Sequence, residues 1–289
     1  MEIKISRVET IEDYERCEEL QRKVWGRDDL QIVPKNQLIA SQISGGLVLG
    51  AYDNQGNMVG FVYGFPGIME GRPIHYSHML GVDPEFQGKG IGYYLKLEQR
   101  RYALDQGLDL ICWTFDPLEA RNASLNFRKL GVIADRYKVN LYGTPTVGRY
   151  KDLDTDRFLV KWLIKSQRVE RRLSGQDEME KLKSFFQDWE EFKVNRTNLG
   201  PHGLLRITGL DLDREDLILF LEIPDDFQGM KSRDLGLARA WREAVREVCL
   251  NYLEKGYAVI EFLSTLHQGV RRNLYLLGLR GGIYETGGR

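Results

Sequence analysis

Apolar and polar residues alternate over Ile3–Val8, as they do in an opening strand. The period changes to that of an amphipathic helix over Ile11–Trp25, with Thr10 at its N-cap and Asp13 three residues on as a weak capping box. Pro34–Ile43 reads as a second helix, stopped by Gly45-Gly46. Leu47–Tyr52 and Met58–Phe65 read as strands around Asn54-Gln55-Gly56-Asn57, a hairpin signal, and Pro73–Val82 as a third. Tyr93–Gln106 has helical spacing, with Gly107 at its C′ position. Leu108–Phe115 is apolar along most of its length, as a strand buried on both faces is. Glu119–Leu130 reads as a helix ended by Gly131, and Val132–Tyr142 and Arg157–Ile164 as strands joined by a polar loop. The order β-α-α-β-β-β-α-β-α-β-β predicts an α/β (α+β) fold.

Lys165–Gln176 is charged and poor in apolar residues, which predicts a boundary between domains 1–165 and 166–289. Beyond it come a helix-like run (Glu178–Phe192), a strand (Asp216–Ile223), a long helix (Leu235–Glu254) and strands at Tyr257–Leu263 and Asn273–Leu279. Trp241, Ala244, Val245 and Val248 recur at helical spacing, as core residues do.

Composition narrows the function classes. A net charge of -1 gives no long-range attraction to nucleic acid or an anionic membrane. No apolar run approaches the ~20 residues that span a bilayer, and Met1–Ile5 lacks a signal-peptide core, so the cytoplasm is the expected compartment. Cys17, Cys112 and Cys249 are widely spaced and form no C-x-x-C pair, and none of the four histidines is in ligand spacing with a cysteine, so no disulfide framework and no metal are expected.

The most telling chemistry lies in Gln87–Gly92, QGKGIG, between a strand and a helix. Three glycines leave backbone N–H groups uncovered, and a helix starting there adds its free amides and positive dipole end. Such a turn can hold a pyrophosphate without a metal. A dinucleotide fold is disfavoured, because the spacing is Q-x-x-G-x-G and the turn follows three strands and two helices.

The run LGVDPEFQGKGIG and the element order resemble the GNAT superfamily of acyl-CoA N-acyltransferases over about Ile3–Ile164. A buried strand (Leu110–Phe115) and a helix carrying Asn122 and ending in Lys129-Leu130-Gly131 extend the likeness. The resemblance implies a mixed, mostly antiparallel sheet flanked by helices, with acetyl-CoA or another acyl-CoA as co-substrate. It implies that backbone amides of Gln87, Gly88, Lys89, Gly90, Ile91 and Gly92 hold the pyrophosphate. Leu80, Gly81 and Val82 would pair with the pantetheine, the thioester would enter where this strand splays from Ile111–Thr114, and Asn122 or Asn126 would reach the cofactor. Lys89 adds a positive charge beside the phosphates or is a solvated loop lysine.

Many relatives carry a glutamate base before the turn; the corresponding residue here is Tyr76, which cannot serve at neutral pH. His75 and His78 flank it, and a histidine titrates near neutrality. Simple alternation puts His78 on one face with Leu80 and Val82, and His75 on the other with Ser77. His78 is the favoured base. Where relatives often have a tyrosine acid, this chain has Phe127, which leaves Tyr137 and Tyr142 on the following strand as substitutes. A thiolate can also leave without an acid, since a free thiol has a pKa of about 8.5. Glu119 and Arg121 are expected to be solvated.

Leu219–Gly229, LFLEIPDDFQG, matches HMLGVDPEFQG at Leu221, Phe227, Gln228 and Gly229, and a helix and a buried strand follow. This predicts a diverged second copy of the core. Lys231 and Arg233 stand where the first copy has Gly90 and Gly92, so the copy is not expected to bind cofactor. The functional expectation is acyl transfer from acyl-CoA to an amine; the alternative is a non-catalytic acyl-CoA-binding or regulatory module. The acceptor is a small molecule or a protein amine. No membrane is expected as partner and nucleic acid is disfavoured, while a homodimer is allowed and not required.

Overall fold

Strand and helix bounds in the N-terminal third follow the hydrophobic pattern closely. They run β1 (Lys4–Arg7), α1 (Ile11–Trp25), α2 (Lys35–Ile43), β2 (Leu47–Tyr52), β3 (Met58–Met69), β4 (Arg72–Val82), a 3-10 turn (Pro84–Phe86), α3 (Ile91–Asp105) and β5 (Leu110–Phe115). This computed structural model describes residues 2–26, 28–176 and 189–281. Thr10 caps α1 as expected, its side chain accepting from the Asp13 N–H at 3.1 Å. Such a cap contributes about 1 kcal/mol.

The chain divides into two compact units. The first comprises Met1–Trp113, Pro145–Asp152 and Leu163–Lys165, and the second Thr114–Thr144, Leu153–Trp162 and Ser166–Arg289. In the first unit the strand order is β1-β2-β3-β4-β5. All pairs are antiparallel except β4 with β5, which is parallel. One face of this sheet buries Val48, Phe61, Tyr63 and Met79 against Tyr14, Cys17 and Leu20 of α1 and Leu38 of α2. The other buries Leu49, Val59, Val62 and Leu80 against Ile91 and Leu95 of α3.

The second unit holds α4 (Ala120–Ala123), which runs into a π-helical turn (Ser124–Lys129), then β6 (Ile133–Lys138), β7 (Arg157–Leu163), α5 (Gln167–Leu173), β8 (Asn195–Leu199), β9 (Leu205–Leu210), β10 (Ile218–Ile223), α6 (Phe227–Arg233), α7 (Leu235–Glu254), β11 (Tyr257–His267) and β12 (Val270–Leu279). Its strands lie in the order β7-β6-β11-β12-β10, with β8 and β9 as a separate hairpin. These units are not the halves 1–165 and 166–289, because β6 pairs with β11 through Ala134↔Val259 and so joins the C-terminal strands. The charged stretch expected as a linker contains α5 instead. Ser166 caps that helix, Val169 is buried on it, and Arg172 reaches the buried Glu261. β6 stops at Lys138, short of the Tyr142 that the alternation implied. Asn140 turns the chain at a φ of 43°, with its N–H donating to Asp156.

The second half departs from a copy of the first in its topology. β10 pairs with β12, and β12 with β11, so the strands before and after α7 are not neighbours, whereas β4 and β5 are. Gln228 and Gly229 lie inside α6, where the Asp226 carboxylate caps the helix and accepts from the Gly229 N–H at 2.8 Å. Lys231 and Arg233 are in the same helix. The helix-like run Glu178–Phe192 lies, up to residue 188, outside the described residues.

Candidate functional site

α3 begins two residues earlier than its helical spacing implies, at Ile91, with Gly90 as its N-cap at a φ of 82°. Gly88 also has a positive φ, 80°. These left-handed positions cost an L side chain roughly 1–2 kcal/mol each. They turn the chain so that the N–H groups of Gly88, Lys89, Gly90, Ile91 and Gly92 find no acceptor among the described residues. Ile91 buries its side chain beneath the sheet while its N–H stays at the helix start. Gln87 behaves differently from its expected role. Its N–H makes a long contact with the Pro84 carbonyl at 3.4 Å, and its side chain donates to the Val82 carbonyl at 3.1 Å. It therefore ties the turn to the end of β4. Lys89 is exposed and lies over the Phe86 ring, 4.6 Å from its centroid.

β4 contributes an open backbone edge. Asp83 donates to the Val59 carbonyl, so by antiparallel alternation Gly81 and Met79 also face β3, and Leu80 and Val82 turn their backbone groups the other way. On that side the β4–β5 pairing consists of His75↔Ile111 and Tyr76↔Cys112. Gly81 is small because a Cβ there would stand 3.1 Å from Phe61 and 3.2 Å from Trp25.

A bulge changes which residues share a face. Tyr63 is opposite Met79 and Gly64 opposite Ser77, which leaves His78 as the extra residue of β4. His75 and Ser77 therefore face α3, as Leu80 and Val82 do, and His78 lies on the other face; this corrects the assignment by simple alternation. His78 is exposed, with its ring 5.8 Å from Tyr63, 5.9 Å from Phe65 and 6.3 Å from Tyr76.

His75 is unsuited to the role of base. It is 1% exposed, and burial together with the nearby Lys96 charge pushes its imidazole down to about 3. Lys96 donates to Ser77 Oγ at 3.0 Å and to Gln99 Oε1 at 2.8 Å. With its oxygen so used, Gln99 turns Nε2 toward His75 Nε2 at 3.1 Å, which makes that imidazole nitrogen the acceptor. The lone pair a base would need is occupied. Sequence reasoning missed Lys96 and Gln99; their one signal is an i, i+3 spacing on the side of α3 that carries Leu95.

The other expected groups belong to the second unit. Tyr137 is buried and donates to Asp156 at 2.8 Å; burial first, then Cys249 and Asp156, pushes its hydroxyl well up. A phenol so held does not supply a proton to a ligand from solvent. Tyr142 is 55% exposed, with its hydroxyl 3.4 Å from Thr114 Oγ1. Asn122 is exposed and Asn126 buried, so of the two only Asn122 offers an open side chain. Phe127 is fully buried against Phe115, Phe158 and Tyr275. Glu119 is buried and accepts from Gln228, contrary to the solvated role expected. Among the described residues no three His, Cys, Asp or Glu side chains are placed to hold a metal, and no helix is long and apolar enough to cross a membrane.

Comparison with known proteins gives one family match: the model of the acetyltransferase (GNAT) family fits residues 8–132. No curated protein matches the chain in sequence. Among solved structures, the ribosomal-protein-S18-alanine N-acetyltransferase of Escherichia coli is similar at 18% identity and a TM-score of 0.46, over 57% of this chain and 96% of that one. A GNAT-family acetyltransferase of Streptococcus pneumoniae matches at 18% identity and 0.45, over 55% and 98%. One from Elizabethkingia anophelis, solved with acetyl-CoA bound, matches at 17% identity and 0.41, over 56% and 97%.

Proposed function

We propose that residues 8–132, which the acetyltransferase (GNAT) family model fits, act as an acyltransferase domain and that the protein moves an acetyl group from acetyl-CoA to a primary amine by direct attack. The observation that supports this reading is the set of five amides from Gly88 to Gly92 that find no acceptor among the described residues, at a helix start where two glycines hold left-handed backbone. A pyrophosphate there meets converging N–H dipoles; carboxylate or phosphate at a helix start gains about 0.3–2 kcal/mol from the dipole. The open backbone of Leu80 and Val82 then offers donors and acceptors to the pantetheine amides. Acetyl-CoA, when bound, supplies the activated acyl carbon.

The chain's own contribution is positional. His78 is exposed and takes the proton of the attacking ammonium, directly or through water. The tetrahedral oxyanion is stabilised by a β4 amide. The rings of Tyr63, Phe65 and Tyr76 about His78 shape the acceptor side of the strand. The thiolate leaves without a dedicated acid, in keeping with Phe127 in place of a hydroxyl. Cytoplasmic location and an acceptor that is a small molecule or a protein amine belong to the same proposal.

Calorimetry with acetyl-CoA and CoA tests the cradle. Binding is expected below millimolar, and Gly90→Glu, which sets a carboxylate among the amides, is expected to weaken it at least tenfold. No binding by the wild type at millimolar ligand overturns the reading. His78→Gln should leave CoA affinity in place and lower transfer to an amine panel by about 10²–10⁴-fold. The replaced base and acid positions favour one second reading, an acyl-CoA-binding module. Tight CoA binding without turnover on any amine would establish it.

A further inference from the structure

Lys96 is 2% exposed on the buried side of α3, and this depth is unusual for a lysine. Burial pushes its amine well down from the ordinary lysine value, and three of its partners fix where it sits. Two are Ser77 Oγ and Gln99 Oε1. The third is the face of Trp113, with the ring centroid 3.5 Å from Nζ, which is close range for a cation over an indole.

The location of these partners matters. β4 and β5 pair at His75↔Ile111 and Tyr76↔Cys112, and the next residue on each strand is Ser77 and Trp113. Lys96 touches both. It bridges the two strands at the point where their pairing ends.

We propose that Lys96 is a fixed stop at the inner end of the acyl channel, a specificity-determining residue that restricts the donor to short acyl chains. This rests on the acyl-CoA reading above. With the pyrophosphate at Gly88–Gly92 and the arm paired along Val82 and Leu80, the thioester points back along β4 toward Ser77. Leu80 and Ser77 stand opposite Val62 and Gly64, two residues apart on β3, so the bulge leaves roughly 7 Å of strand between them. An acetyl group ends before the Lys96 ammonium. A longer alkyl chain must push Nζ from its acceptors, which leaves buried oxygens unpaired. A leucine or methionine at this position could slide aside, but a hydrogen-bonded lysine is held in place.

The test is a calorimetric series on the whole protein with CoA, acetyl-, butyryl- and hexanoyl-CoA. Hexanoyl-CoA is expected to bind at least tenfold more weakly than acetyl-CoA. In Lys96→Ala the difference should shrink to threefold or less, with acetyl-CoA affinity kept within threefold. Lys96→Met keeps the volume and removes the hydrogen bonds, and it too should lose most of the discrimination. A structural role alone would weaken all four ligands in parallel. Equal affinities across the series in the wild type overturn the stop even if neither variant folds, as does a Lys96→Met protein that discriminates like the wild type. Failure of CoA itself to bind instead removes the acyl-CoA reading, and the stop with it.

Discussion

Gly64 shows how little room the buried polar row on β4 leaves. A Cβ at Gly64 would lie 2.3 Å from His75 Nε2, 2.8 Å from the Tyr76 carbonyl and 2.9 Å from Gln99 Nε2. The carbonyl is backbone and cannot retreat. Gly64→Ala is therefore expected to cost about 1–3 kcal/mol through overpacking, measured as a shift in the urea midpoint at constant slope. His75 adds a pH signature. Its folded value of about 3 lies below the ordinary 6.5, so the unfolded chain binds the extra proton between those values. The stability that neutral burial confers is complete above pH 6.5 and is lost as the pH falls toward 3. The expected slope is about 1.4 kcal/mol per pH unit over roughly pH 6 to 4. Lys96, Gln99 and Tyr102 of α3 face the ring, and burial also pushes the Lys96 amine well down from its ordinary value. In His75→Gln the slope should flatten by that amount; an unchanged slope would show that the proton binds elsewhere.

At the scale of the element, α3 and α6 start in opposite ways. The Asp226 carboxylate accepts from the Gly229 amide in the first turn of α6, whereas two left-handed glycines precede α3 and its first amides find no acceptor among the described residues. Gly90→Ala separates conformation from charge. It should cost about 1–2 kcal/mol of stability for its φ of 82° and weaken CoA far less than Gly90→Glu, as thermal melts and calorimetry on both variants would show. The α3 start was legible because glycine spacing reports backbone conformation directly, and α1 because Thr10 and the apolar period agree. The face of His78 was not. Period-two counting passes through HMLGV without a break, and the extra residue exists only because Tyr63 and Gly64 take Met79 and Ser77 as partners. Lys96 and Gln99 were missed for a related reason. Polar residues on a helix read as solvent-facing until the partners that satisfy them, Ser77 and His75, are known. α5 was hidden by its charge, which the buried Glu261 offsets through Arg172.

For the whole molecule, the path of the chain decides what can fold alone. The second unit takes Thr114–Thr144 and Leu153–Trp162 from the N-terminal half and completes them with residues after Ser166. Asp116 is fully buried, and its carboxyl stays low although burial opposes this, because Arg242 bonds both oxygens at 2.8 and 2.6 Å. Phe127 packs edge-on against Tyr275, with ring centroids 5.7 Å apart, and Ala134 of β6 pairs with Val259. A chain cut after Lys165 loses Arg242, Tyr275 and Val259 together. It would keep an apolar strand edge in water and a carboxylate without its guanidinium partner; breaking such a buried pair alone costs about 3–5 kcal/mol, a large part of a domain's stability. Fragment 1–165 is therefore expected to lack a cooperative melt by circular dichroism and to be degraded by a protease concentration that leaves the full chain intact. A cooperative melt within a few degrees of the full chain's would restore the boundary at 165 as a true division between independently folding domains.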